Sequence, residues 1–351
     1  MNNTVKLWQP KSIFFSPLRG HSAPVYGAAF SSDGKIVATG SLDGTAKVWQ
    51  RDGTLLETLC EGSGAIWDLA LSPDGQAIAA GCEKIVKLWH KDGKFLGSFN
   101  AHESLVYALA WSPDRKILAT ASTDGTAKLW QPEEAVAGAP PLHTLKLDDS
   151  GFWGIAFSRD GQALATGSTS GAIAIWKPDG RLLQAIDAHE ATSFALSFSP
   201  DGKMVVSSSM DGTAKLWQLD LCSTSNTSVP QKIQPLKTFK GHTQGAIGIS
   251  FSPDGEIIAT GSLDSTVKLW NKEGILLRTL TGHKGGVLTV AFSPDGSQLI
   301  STSFDQTAIV WNLDKILNTD PLEFGCNWVR DYLRTNANVK EEDRHLCDGV
   351  L

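Results

Sequence analysis

The sequence predicts an all-β protein assembled from repeated antiparallel units, and three observations predict it. Tryptophans recur at Trp8, Trp49, Trp89, Trp130, Trp176, Trp217, Trp270 and Trp311, with spacings of 41, 40, 41, 46, 41, 53 and 41 residues, a period that marks a repeat array. A common phrase precedes five of them, clearest from Gly241 to Trp270 as GHTQGAIGISFSPDGEIIATGSLDSTVKLW. Within it, GAIGISF and EIIATGS alternate apolar with small or polar residues, the period-two pattern of half-buried strands.

The elements of one unit follow in order. GAIGISF is the first strand. The turn SPDG comes next: Ser252 opens it, Pro253 presets φ at the first corner, Asp254 tolerates the second and Gly255 closes it. EIIATGS is the second strand, Leu263-Asp264-Ser265 the next turn, and STVKLW a third strand ending on an indole.

The pattern GH…SPDG…S-x-D-G-T…[AV]-K-[LV]-W resembles the WD repeat over residues 3 to 312. The residue after Trp is Gln, His, Lys or Asn, never the Asp of the family's name. The resemblance implies a seven-bladed β-propeller of four-stranded antiparallel blades, with strands a, b and c between His and Trp and strand d after it, as in LLETL at 55–59 and LLRTL at 276–280. Seven a-b-c sets begin near Val25, Ile66, Val106, Phe152, Ser193, Ala246 and Val287. No d strand follows Trp311, so SIFFSPL at 12–18 is expected to close the ring beside 307–312. The propeller then spans 1–312, with residues 1–11 left over from a preceding blade, since NTVKLWQ at 3–9 spells a strand c without partners. The chain is therefore read as the C-terminal part of a longer array, or as a reading frame that begins inside one, and it resembles the bacterial WD domains at the C-termini of STAND-type signalling ATPases.

A helical tail is expected over 313–351, with Asp320, Pro321 and Glu323 opening a helix, an apolar stripe at Phe324, Trp328, Val329 and Tyr332, and a second short helix over 339–347. The stretched connections at 131–141 and 219–235 read as flexible surface excursions.

Composition excludes several classes. A net charge of −6 argues against nucleic acid and anionic membrane, which need clustered Lys and Arg. Cys60, Cys82, Cys222, Cys326 and Cys347 are scattered and odd in number, without CxxC spacing, so a reducing compartment is expected. With no long apolar run and no leader pattern, the expected location is the cytoplasm.

The recurring polar residues form five sets: His21, Ser41, Asp43, Trp49; His102, Ser122, Asp124, Trp130; His189, Ser209, Asp211, Trp217; His242, Ser262, Asp264, Trp270; and His283, Ser303, Asp305, Trp311. Five copies of one triad serve no enzyme. The inventory of donors and acceptors allows an indole–hydroxyl–imidazole–carboxylate chain, so the sets are read as structural tetrads and no catalytic residue is expected. Blade two has Cys82 for the Ser and no Asp before Trp89; blade four keeps only Ser168 and Trp176. Single carboxylates in the Asp-Gly turns do not make a calcium site, and no metal or cofactor is expected. An enzyme would need acids or His converging on the channel, where Asp68 is the only acid inside the a strands.

The resemblance implies a non-enzymatic scaffold, monomeric or part of a larger chain, that binds a protein or peptide partner. In the family, the residue just inside strand a points to the mouth of the His-loop face. Here that position reads Tyr26, Trp67, Tyr107, Trp153, Phe194, Ile247 and Leu288, and the residue before each b-c Asp adds Leu42, Thr123, Met210, Leu263 and Phe304 as a rim. Phe194 and Ile247 read as channel plugs. Trp67 and Trp153 read as anchors, because they lie in the two blades without tetrads and indoles are frequent interface anchors.

Overall fold

The computed structural model describes residues 14–59, 64–220 and 229–318. Their strands form seven four-stranded antiparallel sheets. Blade one is Val25–Phe30, Ile36–Ser41, Ala46–Gln50 and Leu55–Leu59, paired in that order, and blades two to six repeat it. Blade seven takes Val287–Phe292, Gln298–Ser303 and Thr307–Asn312 from the end of the chain and its outer strand, Phe15–Arg19, from the start. Phe15 lies opposite Trp311 and Arg19 opposite Thr307, so the ring closes by pairing the two ends of the array.

The core lies between blades. One apolar cluster joins Leu18, Val37 and Trp49 to Ile300 and Val310 across blades seven and one, and comparable clusters join the other neighbours. Strand b is therefore buried on both faces, as in Ile36–Ser41, where every residue after the first is buried. Such a strand needs small residues where the next blade arrives. A Cβ at Gly40 would stand 2.6 Å from Cγ2 of Ile66, so only glycine lets blade two approach this closely. The closing interface is also tied by polar groups: Arg51 reaches Asp295 at 3.0 Å and Gln298 at 2.6 Å, while Thr289 and Thr302 donate to the Tyr26 carbonyl.

Every a-b turn is held alike. Ser31 donates to Asp33 at 2.6 Å, and the same carboxylate accepts from the Lys35 amide.

One segment differs from expectation. The connection at 131–141 is not a bare excursion: Pro132–Val136 is helical, with Pro132 and Ala135 buried. Pro at the first turn and two early acids, Glu133 and Glu134, favour that helix, and Ala135 joins the cluster between blades two and three. After the propeller, a helix runs over Leu313–Asn318, starting at once after strand c with Leu313 buried. The expected helices from Asp320 onward, the orphan strand at 3–9 and most of the 219–235 connection lie outside the described residues.

Candidate functional site

Strand a meets strand b with one register shift in every blade. In blade one Val25 lies opposite Ser41 and Gly27 opposite Gly40, leaving Tyr26 as the extra residue. The same shift sets apart Trp67, Tyr107, Trp153, Ile247 and Leu288, and in blade five the pair Phe194 and Ala195. A bulge re-aims the side chain it sets apart. Repeated around a ring, it turns seven side chains toward one mouth.

These side chains meet. Ring centroids are 4.9 Å apart for Tyr26–Trp67, 4.9 Å for Trp67–Tyr107, 3.9 Å for Tyr107–Trp153 and 5.1 Å for Trp153–Phe194. Phe304 extends the arc from the other side at 5.8 Å from Tyr26. Together with Ile247, Leu263, Leu288 and Met210 they line a pocket of about 380 Å³. Tyr26, Trp67, Tyr107 and Trp153 are half-buried, and Met210 and Phe304 stand exposed at the rim. The Trp153 N–H donates to Thr169 at 3.1 Å. The Trp67 N–H is buried without a hydrogen-bond partner among the described residues, so neighbouring rings hold that indole.

Two expectations are corrected. Phe194 and Ile247 are not plugs beneath the mouth but half-buried walls of the same pocket. Leu288 lines the same pocket and is only 7% exposed. Leu42 and Thr123 do not line the pocket; the Leu42 amide is bound back to the Pro24 carbonyl in the turn beside it.

One ionisable acid faces this pocket and no Lys, Arg or His does. Burial pushes the Asp68 carboxyl up to about 7, against hydrogen bonds from the amides of Leu109 and Leu69. The Leu109 bond, 2.9 Å, crosses from blade three. On the other side, Gly27 makes room: a Cβ there would stand 2.8 Å from Oδ1 of Asp68. Burial also raises the phenols of Tyr26 and Tyr107 above their usual range, so both stay neutral at ordinary pH.

The polar chain is present in each of the five sets, with a correction to its hydroxyl. The Trp49 indole donates to Thr39, not Ser41, at 2.8 Å; Thr39 meets His21 Nε2 at 2.8 Å, and His21 Nδ1 meets Asp43 at 3.0 Å. The bridging hydroxyls of the other four sets are Thr120, Ser207, Thr260 and Ser301. Ser41 instead ties the turn, donating to the Ala23 carbonyl and accepting from the Asp43 amide, and Ser122, Ser209, Ser262 and Ser303 likewise accept from their Asp amides. The reason is register: Val37 lies opposite Trp49, so Thr39, two residues on along the same face, sits beside the indole, and Ser41 is too far along. That Thr or Ser stands ten residues before Trp in six blades, a signal present in the sequence. In blade two strand register puts Ala80, nine residues before Trp89, in that place, and blade four retains the bond from Trp176 to Thr166.

Electrostatics agree with a neutral imidazole that donates to the carboxylate and accepts from the hydroxyl. Burial lowers the pKa of His21, His102, His189 and His242 despite their acidic partners. Burial alone would raise the Asp43 carboxyl; bonds from Thr45 and the Ser22 amide outweigh it and hold the group at about 2. Both ring nitrogens and the hydroxyl of each set are engaged, which suits a tie between strands and leaves no free nucleophile.

Comparison with known proteins adds one family and two short matches. The family model described as "WD domain, G-beta repeat" matches seven times, over residues 12–50, 53–90, 93–131, 139–177, 180–218, 233–271 and 274–312. A ribosome biogenesis protein WDR12 homolog from Oryza sativa subsp. japonica is 36% identical over 50 residues, 14% of this chain and 12% of that protein. A "Probable E3 ubiquitin ligase complex SCF subunit sconB" from Emericella nidulans is 50% identical over 38 residues, 11% of this chain and 5% of that protein. The chain thus matches only a small part of either relative's length.

Proposed function

We propose that this chain, which belongs to the WD domain, G-beta repeat family, is a non-enzymatic interaction scaffold that binds a protein or peptide segment across its His-loop face. The observation that carries this reading is the arc of six aromatic rings from Phe304 through Tyr26 to Phe194 around one open pocket. Large rings held rigid by one another lose little entropy on binding and make good anchors. The opposite face is unlike it: its turns present the charged residues Asp33, Lys35, Lys91 and Asp92 to solvent.

The family membership and the sconB relative, named as a subunit of a complex, support the same kind of role. The finer reading, a ligand-sensing part of a larger STAND-type signalling ATPase in the cytoplasm, rests on resemblance of the array and tail and draws no support from the site geometry.

The test uses peptides selected from a random library on the intact protein. Trp67→Ala and Trp153→Ala are each expected to weaken the selected peptides by about 2 kcal/mol or more, with an unchanged circular dichroism spectrum. Peptides that survive the triple substitution of Trp67, Tyr107 and Trp153 by Ala, but are lost on reversing the charges of Lys35 and Lys91, would place docking on the other face.

A further inference from the structure

Among the described residues, three outer strands are covered by the chain itself, each by the long segment that follows strand c of the next blade. Pro132–Val136, from blade three, lies on Phe95–Asn100 of blade two, where Val136 fills the space that a side chain at Gly97 would need. The segment around Gln231, from blade five, adds to Leu182–Asp187 of blade four: the Gln231 amide donates to the Ala185 carbonyl at 2.9 Å, and the Asp187 amide donates to the Gln231 carbonyl at 2.9 Å. Leu313–Asn318, from blade seven, lies on Leu276–Thr281 of blade six, where the Ile316 carbonyl accepts from Arg278 at 3.3 Å.

The cover reaches further on blade four than on blade six. On blade four, Ile233 joins Leu183 in one apolar cluster, and both Leu182 and Leu183 are half-buried. Strand register makes Leu276 and Leu277 their counterparts on blade six, because Leu182 lies opposite Trp176 and Leu276 opposite Trp270. Leu277 packs in the same cluster as Ile316 and Leu317 of the covering helix. Leu276 and its neighbour Ile275 stay 43% and 61% exposed. The described part of the covering segment stops at Asn318, while the chain runs on to Leu351.

We propose that Ile275 and Leu276 are the docking site for the chain's own residues 320–334, which seat Phe324, Trp328 and Tyr332 on the outer flank of blade six. Those three aromatics recur every four residues, so a helix puts them on one face, and Asp320, Pro321 and Glu323 are the residues that open one. Reach is sufficient. Ile275 is three strand residues, about 10 Å, from Arg278, which holds the Ile316 carbonyl, and the six residues from Asn318 to Phe324 span up to about 20 Å. The site continues an interface already made, since Ile316 and Leu317 sit against Leu277 of the same strand. A segment tethered beside the site also has a high effective concentration there, which a free partner must compete with. This docking is separate from the mouth pocket, so either can fail without the other.

The experiment replaces Leu276 of the full chain by the photo-crosslinking residue p-benzoylphenylalanine and maps the products by mass spectrometry of tryptic peptides. Irradiation should join position 276 to residues 320–334 in a product of monomer mass. The same probe in place of Leu56, an exposed residue on the outer strand of blade one, should give no such product. A second measurement follows trypsin cleavage after Arg330 and Arg334. Leu276→Asp and Trp328→Asp should each speed that cleavage about tenfold or more, because proteolysis tracks the population of the undocked segment, whereas Leu276→Met should cleave at the wild-type rate. Crosslinks from position 276 confined to propeller residues would overturn the proposal. So would a crosslinked product of dimer mass, which would assign the flank to a second copy of the chain, or equal cleavage rates in the wild type and both Asp variants.

Discussion

The indole of Trp153 lies 3.9 Å, centroid to centroid, from the phenol ring of Tyr107, inclined by 38°. Both residues are set apart by the bulge in strand a of adjacent blades, so this contact links blades three and four at the mouth. It predicts coupling. Trp153→Ala and Tyr107→Ala should be non-additive in urea denaturation, with an interaction energy of about 0.5–1.5 kcal/mol. Strict additivity would show that each ring is positioned by its own blade.

Thr260 has a different kind of partner. Its hydroxyl accepts from the Trp270 indole at 2.9 Å and meets His242 at 2.8 Å, so Thr260→Val leaves two polar groups in blade six without partners. The expected cost is about 1–3 kcal/mol for each group orphaned. Proton NMR distinguishes this from a general loss of packing: the Trp270 indole N–H should shift and exchange faster in Thr260→Val but keep its position in Ser262→Ala.

Most of the fold was legible because each blade repeats the same local instructions. Alternation marked the strands, SPDG and Asp-Gly marked the turns, and the missing strand after Trp311 pointed back to the segment before Arg19. Two things were not legible. The bridging Thr260 cannot be told from Ser262 in a motif read as a string, which carries no register; only the pairing of Ile258 with Trp270 places Thr260 beside the indole. The bulge at Trp67 is likewise a property of pairing between strands, so the sequence pointed to residues near the mouth without showing that their rings would meet. Asp68 is visible in the sequence as an acid inside a strand a, but its bond to the Leu109 amide is a contact between blades that spacing does not encode.

Acid should weaken the propeller in two stages, with one group opposing. His21, His102, His189 and His242 are held neutral by burial, below their ordinary 6.5; the unfolded chain takes up these protons first, so stability is lost as pH falls below about 6.5. Asp43 and Asp264 are held at about 2, so their contribution, present above about 4, is lost as pH falls toward 2. Asp68 has the opposite sign: its folded pKa of about 7 lies above the ordinary 3.8, so the folded state binds its proton more tightly and stability declines as pH rises from about 4 to 7. Relative to wild type, Asp68→Asn should therefore gain stability on going from pH 4 to pH 8, by about 1–3 kcal/mol allowing for the open pocket. Parallel stability curves for the two proteins would contradict this.

The b-c turns offer a stabilising change. Gly44, Gly125, Gly171 and Gly212 occupy left-handed backbone at φ of 81°, 86°, 86° and 83°, whereas Ser265 and Gln306 take the corresponding position at 69° and 68°. A side chain there costs about 1–2 kcal/mol, partly offset by the greater unfolded-state freedom of glycine. Ser265→Gly and Gln306→Gly should each raise stability by about 0.5–1 kcal/mol, and their effects should add because they lie in separate blades. No rise in the urea midpoint for either would mean that the hydroxyl or amide makes up the difference.

Closure of the ring gives the last prediction. Phe15–Arg19 is the outer strand of blade seven, five residues in register with Thr307–Trp311. It carries Leu18, 1% exposed, into the cluster with Trp49 and Ile300, and the Phe15 ring lies 5.2 Å from the indole of Trp311. Removing residues 1–19 would take away both the cluster's Leu18 and the strand that covers Thr307–Asn312, whose backbone donors and acceptors would then face solvent as a free edge. The truncated protein should elute as oligomers at micromolar concentration and melt at lower temperature. A synthetic peptide spanning 12–20, added during refolding, should restore the monomer, and the same peptide carrying Leu18→Asp should not, because an unpaired charge in the cluster opposes pairing. A truncated protein that stays monomeric with an unchanged melting temperature would show that the other six blades hold the ring shut without it.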